Sequence, residues 1–146
     1  MPTRFNRVYL QSAGYHLPGE PVNNQDMDDF IAPINRISLR IKNKILAENG
    51  IQTRHYAIDK NGETVTSHTQ LAANAIHDCL ARANASLSDV SLLAVGSSGS
   101  DALIPGFAAM VQGELGAPPM ETLSSLGVCA AGISALNYAA QSIELG

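Results

Sequence analysis

Ser124-Ser125-Leu126-Gly127-Val128-Cys129-Ala130-Ala131-Gly132 joins two patterns in this chain: small residues lead into a cysteine, and an alanine-rich segment leads out of it. Upstream, Glu121 to Leu126 predicts a short strand. Downstream, Ala130 to Leu145 predicts a helix with Ile133, Leu136, Ala140 and Ile143 near one face. The junction places Cys129 at a helix N-terminus, where unpaired amide N–H groups and the helix dipole favour thiolate over thiol. Gly127, Ala130, Ala131 and Gly132 leave little bulk around the sulfur. A carbonyl carbon can therefore approach, as an acyl-accepting nucleophile requires. The competing reading is a small buried apolar residue, the commoner fate of a lone cysteine. Local sequence leaves both open.

Working outward, Val90 to Val95 is a continuous apolar run that predicts a strand buried on both faces. Gly96 to Asp101 reads as a flexible loop, and Pro105 to Leu115 as a helix with proline near its first turn. Ser67 to Ala83 predicts an amphipathic helix carrying Leu71, Ala75, Ile76, Cys79, Leu80 and Ala83 on one side. Cys79 lies in that stripe and reads as a core thiol. Nearer the start, Arg7 to Ala13 reads as an opening strand, followed by a turn region at Gly14, Pro18-Gly19 and Pro21. Asn24 resembles the N-cap of a helix over Gln25 to Ile31, which Pro33 ends. Ile37 to Glu48 predicts a basic helix with an apolar stripe of Ile37, Ile41, Ile45 and Leu46, bounded by Asn49-Gly50. Arg54 to Ile58 reads as a short strand. The alternation of strands and helices predicts a layered α/β domain with crossover connections.

Composition excludes several classes. The 146 residues, 45% hydrophobic, suffice for one domain with a core. A formal charge of -4 with nine Lys and Arg argues against nucleic acid as the main partner. No run approaches a membrane span and Met1 to Asn6 lacks a signal-peptide core, so the expected location is the cytoplasm. Cys79 and Cys129 form neither a metal-spaced pair nor a disulfide framework. His16, His55, His68 and His77 are scattered, so no metal and no other cofactor is expected. Gly96-Ser97-Ser98-Gly99-Ser100 lacks the lysine of a P-loop, yet it follows a strand, where α/β sheets place ligands. Neither Ser98 nor Ser125 has the Gly-x-Ser-x-Gly context of a hydrolase nucleophile. Arg36, Arg40, Lys42 and Lys44 form a solvated face that could draw an acidic partner or a phosphate.

Taken in order, these segments resemble the N-terminal half of the β-ketoacyl-acyl-carrier-protein synthase III family, condensing enzymes of the thiolase fold. Gly14-Tyr15-His16-Leu17-Pro18 followed by Asn24 is similar to the family's Gly-x-Tyr-Leu-Pro and later Asn. Asn49-Gly50-Ile51-Gln52-Thr53-Arg54-His55 is similar to its Thr-Gly-Ile-x-x-Arg-His segment, and Leu92 to Pro105 to its apolar strand and Ser/Thr-rich loop. Cys129 falls on the nucleophile. The resemblance implies that residues 1–146 form a thiolase-like N-terminal domain, half of a duplicated α/β/α fold. It implies a ping-pong reaction in fatty acid or polyketide-like biosynthesis: Cys129 takes an acyl group from a thioester, and Claisen condensation follows. Backbone N–H groups at Cys129 would stabilise the oxyanion. The family's His and Asn come from its second half, so the fragment alone is expected to be inactive and to expose apolar surface. The implied partners are acyl thioesters of an acyl carrier protein or coenzyme A. A second copy is also implied, with the Met120 to Leu126 strand pairing across a two-fold axis.

Departures from the family pattern carry their own implications. Members using acetyl-coenzyme A carry a Trp and an Arg where this chain reads Asn43-Lys44-Ile45-Leu46-Ala47-Glu48, which points toward a carrier-bound donor. Arg40 and Lys44 would then contact an acidic carrier. Ile104 matches an aromatic position lining the partner subunit's acyl tunnel, and its smaller size suits a longer or bulkier acyl chain. Cys129-Ala130-Ala131-Gly132 has a Cys-x-x-Gly form closer to thiolases. Arg36 through Tyr56 also resembles the ketosynthases that build dialkylresorcinols and stilbenes. The alternatives are a thiolase or acyltransferase of the same fold and a non-catalytic heterodimer or carrier-docking subunit.

Overall fold

The structure, a computed structural model, describes residues 4–146, which divide into two units. Residues 17–67 form the smaller one. Its two-residue strands, β1 (Val22–Asn23) and β2 (Thr53–Arg54), pair antiparallel with Val22 opposite Arg54. The Asn23 carboxamide oxygen accepts from the amides of Gln25 (2.8 Å) and Asp26 (3.0 Å). It thereby starts a single 3-10 turn, Asp26–Asp29. The α-helix expected over Gln25 to Ile31 is thus one turn only, because Pro33 disfavours helical geometry in the residue before it. Gln25, not Asn24, occupies the cap position, and it is Asn23 whose side chain receives the leading amides. Asn24 instead donates to the Ile51 carbonyl (2.8 Å) and accepts from Arg54 (2.5 Å), tying the turn to β2 and the residues before it.

Helix α1 (Arg36–Asn49) opens on a capping box. The Asn35 side chain accepts from the amides of Ile37 and Ser38, and the Ser38 hydroxyl accepts from the Asn35 amide. It ends where Gly50 adopts φ 70°, a left-handed conformation that costs glycine little. Lys42 pairs with Asp28, Lys60 with Asp29, and the Phe30 and Tyr56 rings stack at 4.8 Å. The expected apolar stripe of α1 is largely uncovered: Ile37, Ile41 and Ile45 are each more than half exposed. Of the strand expected at Arg54 to Ile58, only the start belongs to β2; Ile58 forms an isolated bridge with Thr64.

The larger unit contains α2 (His68–Ala83), β3 (Leu92–Ser97), α3 (Phe107–Leu115), β4 (Glu121–Leu126) and α4 (Ala131–Leu145). β3 and β4 are parallel, in register from Leu92 beside Glu121 to Ser97 beside Leu126, with α3 in the crossover. Strand alternation separates the two sheet faces. Leu93 and Val95 meet a cluster of Ala73, Phe107, Val111 and Leu115 from α2 and α3. Gly96, on the other face, meets the start of α4. This is the layered α/β arrangement expected. β3 is nevertheless not buried on both faces: only Leu93 is fully covered, because two strands make a narrow sheet.

Two further expectations are corrected. Arg7 to Ala13 joins no ladder among the described residues, and Tyr9 and Leu10 are more than four-fifths exposed. Side-chain contacts anchor the segment in place of a ladder. Glu144 accepts from the amides of Asn6 and Arg7, Ser12 donates to the Cys79 carbonyl, and Asp78 accepts from the Tyr15 amide. Gly14 passes so close to α2 that a β-carbon would lie 2.3 Å from the Cys79 nitrogen. On α4 the packed face is alanine, at Ala131, Ala135 and Ala140; Ile133, Leu136 and Ile143 are mostly exposed. The helix lies too close to the sheet for larger side chains to intervene.

Asp101 organises α2 from outside it. Its carboxylate accepts from the amides of His68 (2.9 Å) and Thr69 (2.7 Å) and from the Thr69 hydroxyl. Proline at position 105 precedes α3 rather than starting it, and the Ser124 hydroxyl of β4 accepts from the Ala108 amide (2.8 Å) in place of a local cap. Desolvation raises the Asp101 pKa, but the hydrogen bonds from Thr69 and His68 outweigh it and hold the carboxyl below its ordinary value. Its contribution to stability is therefore present above the unfolded-state pKa and lost as pH falls through the lowered folded-state value. Asp101→Ala should cost about 1 kcal/mol in denaturant unfolding near neutral pH. The difference from the parent should shrink on acidification, with amide exchange accelerated first at the start of α2.

Candidate active site

The two parallel strands end side by side at Ser97 and Leu126, the C-terminal edge where α/β sheets present functional groups. Beyond Leu126 the Gly127 amide donates to the Ser97 carbonyl (3.3 Å), and the Ala130 amide closes onto the Gly127 carbonyl (3.1 Å). A 3-10 turn, Val128–Ala130, results. Cys129 is the middle residue of that turn, one turn ahead of α4 rather than inside it. It is a free thiol and exposed, which removes the reading of a buried core cysteine.

Two backbone features hold the turn in place. Val128 has φ 41°, in the left-handed region that a β-branched side chain rarely enters. Such a conformation costs about 1–3 kcal/mol and persists only where surroundings impose it. Gly96 supplies the imposition. A β-carbon there would lie 2.4 Å from the Ala131 carbonyl group and 2.5 Å from the Gly132 nitrogen. β3 and the first residues of α4 therefore meet backbone to backbone, with Ala131 only 2% exposed. No side chain caps α4, and its N-terminal amides face the end that carries Cys129.

A cleft of about 410 Å³ adjoins this edge, lined by Ser98 to Leu103, Gly106, Phe107, Ser124 and Leu126. The loop expected to be flexible is anchored at both ends: the Ser97 hydroxyl accepts from Gly99, and Asp101 is fixed to α2. Gly96 itself belongs to β3. Ile104 stands on the far side of this loop, 87% exposed beside Leu103. Arg40 and Lys44 lie on the exposed surface of α1, in the other unit. Cys79 is half-buried in α2. Three of the four histidines are engaged separately: His55 with the carbonyls of Pro18 and Gly19, His16 with Asn74, and His68 against the Phe107 ring; His77 lies on α2. Among the described residues no group of three or more His, Cys, Asp or Glu is placed to hold a metal ion. No helix among them is long and apolar enough to cross a membrane.

Sequence reasoning located Cys129 but missed Gly96, Val128, Asp101 and Ser124. Gly96 and Val128 matter through backbone geometry, which leaves no compositional mark. Asp101 and Ser124 act on helices that start 33 and 17 residues before them. Relaxing the strained position should be visible: Val128→Gly is expected to raise stability by about 1 kcal/mol, the strain relieved less the entropy of glycine. Gly96→Val, which forces β3 away from α4, should lower the unfolding midpoint markedly. Denaturant titration of both variants checks the pair.

No protein-family model matches the chain. Curated relatives do. It is 33% identical over 140 residues to a beta-ketoacyl-[acyl-carrier-protein] synthase III of Porphyra purpurea, covering 95% of this chain and 39% of that protein. The corresponding protein of Pyropia yezoensis is 34% identical over 139 residues, with 94% and 39% covered. Among solved structures, AbyA1, a tetronic acid condensing enzyme, superposes with TM-score 0.72 at 26% identity, covering 92% of this chain and 40% of that one. Xanthomonas campestris OleA, solved with bound lauric acid and lauroyl-CoA, superposes with TM-score 0.75 at 23% identity, covering 98% and 41%. The chain thus spans about two fifths of the length of the relatives it matches. It is a thiolase-fold chain related to the beta-ketoacyl-[acyl-carrier-protein] synthase III proteins, corresponding to their N-terminal part.

Proposed function

We propose that this chain carries the acyl-accepting half of an acyl-thioester condensing enzyme, with Cys129 as nucleophile. The observation that carries the reading is the exposed thiol of Cys129 in a strained turn at the C-terminal edge of β4, flanked by residues with little bulk. The Cys129 thiolate attacks the thioester carbonyl and forms a new acyl–sulfur bond. The donor's sulfur leaves as a thiol after taking up a proton. A carbanion, formed from a malonyl-type thioester as its carboxylate leaves as CO2 or from a β-ketoacyl thioester as an α-proton passes to a base, then attacks the acyl carbon. The new carbon–carbon bond forms as the Cys129 thiolate departs. The amide groups around the turn and the start of α4 suit the oxyanion that develops at each attack.

The active unit is a homodimer in this reading. β4 is paired on one edge only, by β3, and its other edge has no strand among the described residues. An unpaired strand edge is the kind of surface that a second copy covers. Exposed Ile104 reaches toward the partner's acyl site, where its modest size leaves room for a long acyl chain.

The test is intact mass of the full-length protein after incubation with acyl-coenzyme A and acyl-carrier thioesters of graded length. One acyl increment on the parent and none on Cys129→Ala is expected, with native mass spectrometry of the same samples giving twice the subunit mass. An adduct that survives in Cys129→Ala, or none with any donor, would remove the reading. Ile104→Trp should shift the accepted acyl chains in this panel toward shorter ones while Cys129 remains acylated. An unchanged length profile would dissociate Ile104 from the acyl site.

A further inference from the structure

Among the described residues, only two that are not glycine adopt a left-handed backbone. Asn84 (φ 51°) directly follows α2, where its amide and that of Ala85 return to the carbonyls of Ala81 and Leu80 at 3.2 and 3.0 Å. That is an ordinary helix ending, and asparagine tolerates it. Val128 (φ 41°) is the other, next to the Cys129 thiol. Asparagine or glycine would hold the same backbone at less cost, because a β-branched side chain is among the worst suited to it.

Burial does not offset that cost. Val128 is 71% exposed, whereas Val111 in the core is fully covered. The turn itself is held by backbone contacts: the Gly127 amide to the Ser97 carbonyl, the Ala130 amide to the Gly127 carbonyl, and β3 against α4 at Gly96. None of them uses the valine side chain. Composition sharpens the point. Val128 is the only side chain larger than a methyl group within two residues of Cys129 on either side. The turn is thus stripped of bulk except at the position where bulk strains the backbone most. Neither conformation nor folding rewards a valine there, so its isopropyl group acts on what occupies the neighbouring thiol. Adjacent Cα atoms are about 3.8 Å apart, which puts a group bonded to the Cys129 sulfur within reach of Val128. Leu126, 60% exposed beyond Gly127, adds a second apolar side chain on the same approach.

We propose that Val128 shields the acyl–cysteine bond from water, so that the acyl group stays on Cys129 until the carbanion arrives. The proposal rests on the condensing-enzyme reading above. The reaction it suppresses is hydrolysis: a water oxygen bonds to the acyl carbon, the carbon–sulfur bond breaks, and the two hydrogens of water end on the released acid and the free thiol. Apolar bulk beside the acyl carbon denies water that approach. The small residues after Cys129 leave the other side open to the second substrate.

The experiment acylates the full-length protein with octanoyl N-acetylcysteamine, removes the donor by desalting and follows the adduct by intact mass. Val128→Ala should lose the acyl group about five- to tenfold faster than the parent, the rate equivalent of two methyl groups withdrawn from contact. Val128→Ile, which keeps the β-branch, should retain the parent lifetime. Val128→Gly discriminates most sharply: it should resist denaturant better yet lose the acyl group faster, a pairing that a purely structural role does not produce. Should Val128→Ala misfold by circular dichroism, Val128→Thr, of the same shape but with a hydroxyl that attracts water, carries the test through a shortened lifetime. Equal lifetimes across the folded variants overturn the proposal and leave acylation of Cys129 standing. A shorter lifetime confined to variants whose subunits separate in native mass spectrometry overturns it as well, by assigning the valine to an interface. No adduct on the parent removes the condensing reading and this proposal together.

Discussion

Everything at the candidate site depends on how closely β3 approaches α4. At Gly96 the strand meets the backbone of Ala131 and Gly132 with no space for a β-carbon. That contact explains why the buried face of α4 is alanine and why its isoleucines and leucines point elsewhere. It also fixes where the chain must travel between the end of β4 and the start of α4. Four residues, 127–130, make the passage, and the left-handed Val128 is the consequence. The cost of that conformation, about 1–3 kcal/mol, is comparable to fully burying one side chain such as Val111 or Phe107. The α2–α3–β3 cluster, which contains several such residues, can therefore sustain it.

A second organising theme is that helix ends are satisfied at very different sequence ranges. Asn35 caps α1 from the adjacent position, and Asn23 starts its 3-10 turn likewise. Asp101 caps α2 and Ser124 caps α3 from other elements. The distant pair also shapes the cleft, since both residues line it. Polar groups that hold helices in place thus double as walls of the cleft at the C-terminal edge of the sheet. A change in either would alter stability and cleft shape together, whereas a change at Asn35 acts on α1 alone.

The uncovered apolar surface is unevenly placed. On α4, Ile133 and Leu136 line a shallow groove with Phe5 and Val8, next to alanines that are fully packed. On α1, the isoleucine row is bordered by unpaired cations. The α4 face is uncharged and mostly apolar, with Asn137 its polar member, and suits broad, non-directional contact. The α1 face combines an apolar row with a charged one. Physical character separates the two surfaces even though both expose large hydrophobic residues.

Elements with strong local signals were legible from the amino acids alone. β4, α2 and the bulk of α1, α3 and α4 follow from periodicity, and Gly50 ends α1 where Asn49-Gly50 marks the stop. Cys129 stood out because small residues surround it at a strand-to-helix junction. The opening segment failed as a strand because a strand is a property of two backbones, and sequence pattern describes one. The turn at Asp26 depended on which of two adjacent asparagines faced the amides, a matter of a single dihedral path. Gly96, Val128, Asp101 and Ser124 escaped for a shared reason: each acts through a distance between segments that periodicity does not encode. The sequence by itself determined where the long helices formed, where the cysteine of the strand-to-helix junction stood and which helix was basic. Only the tertiary structure decided that the thiol was exposed, that its turn was strained and what strained it. Backbone proximity across the chain arises when layers pack, not when residues follow one another.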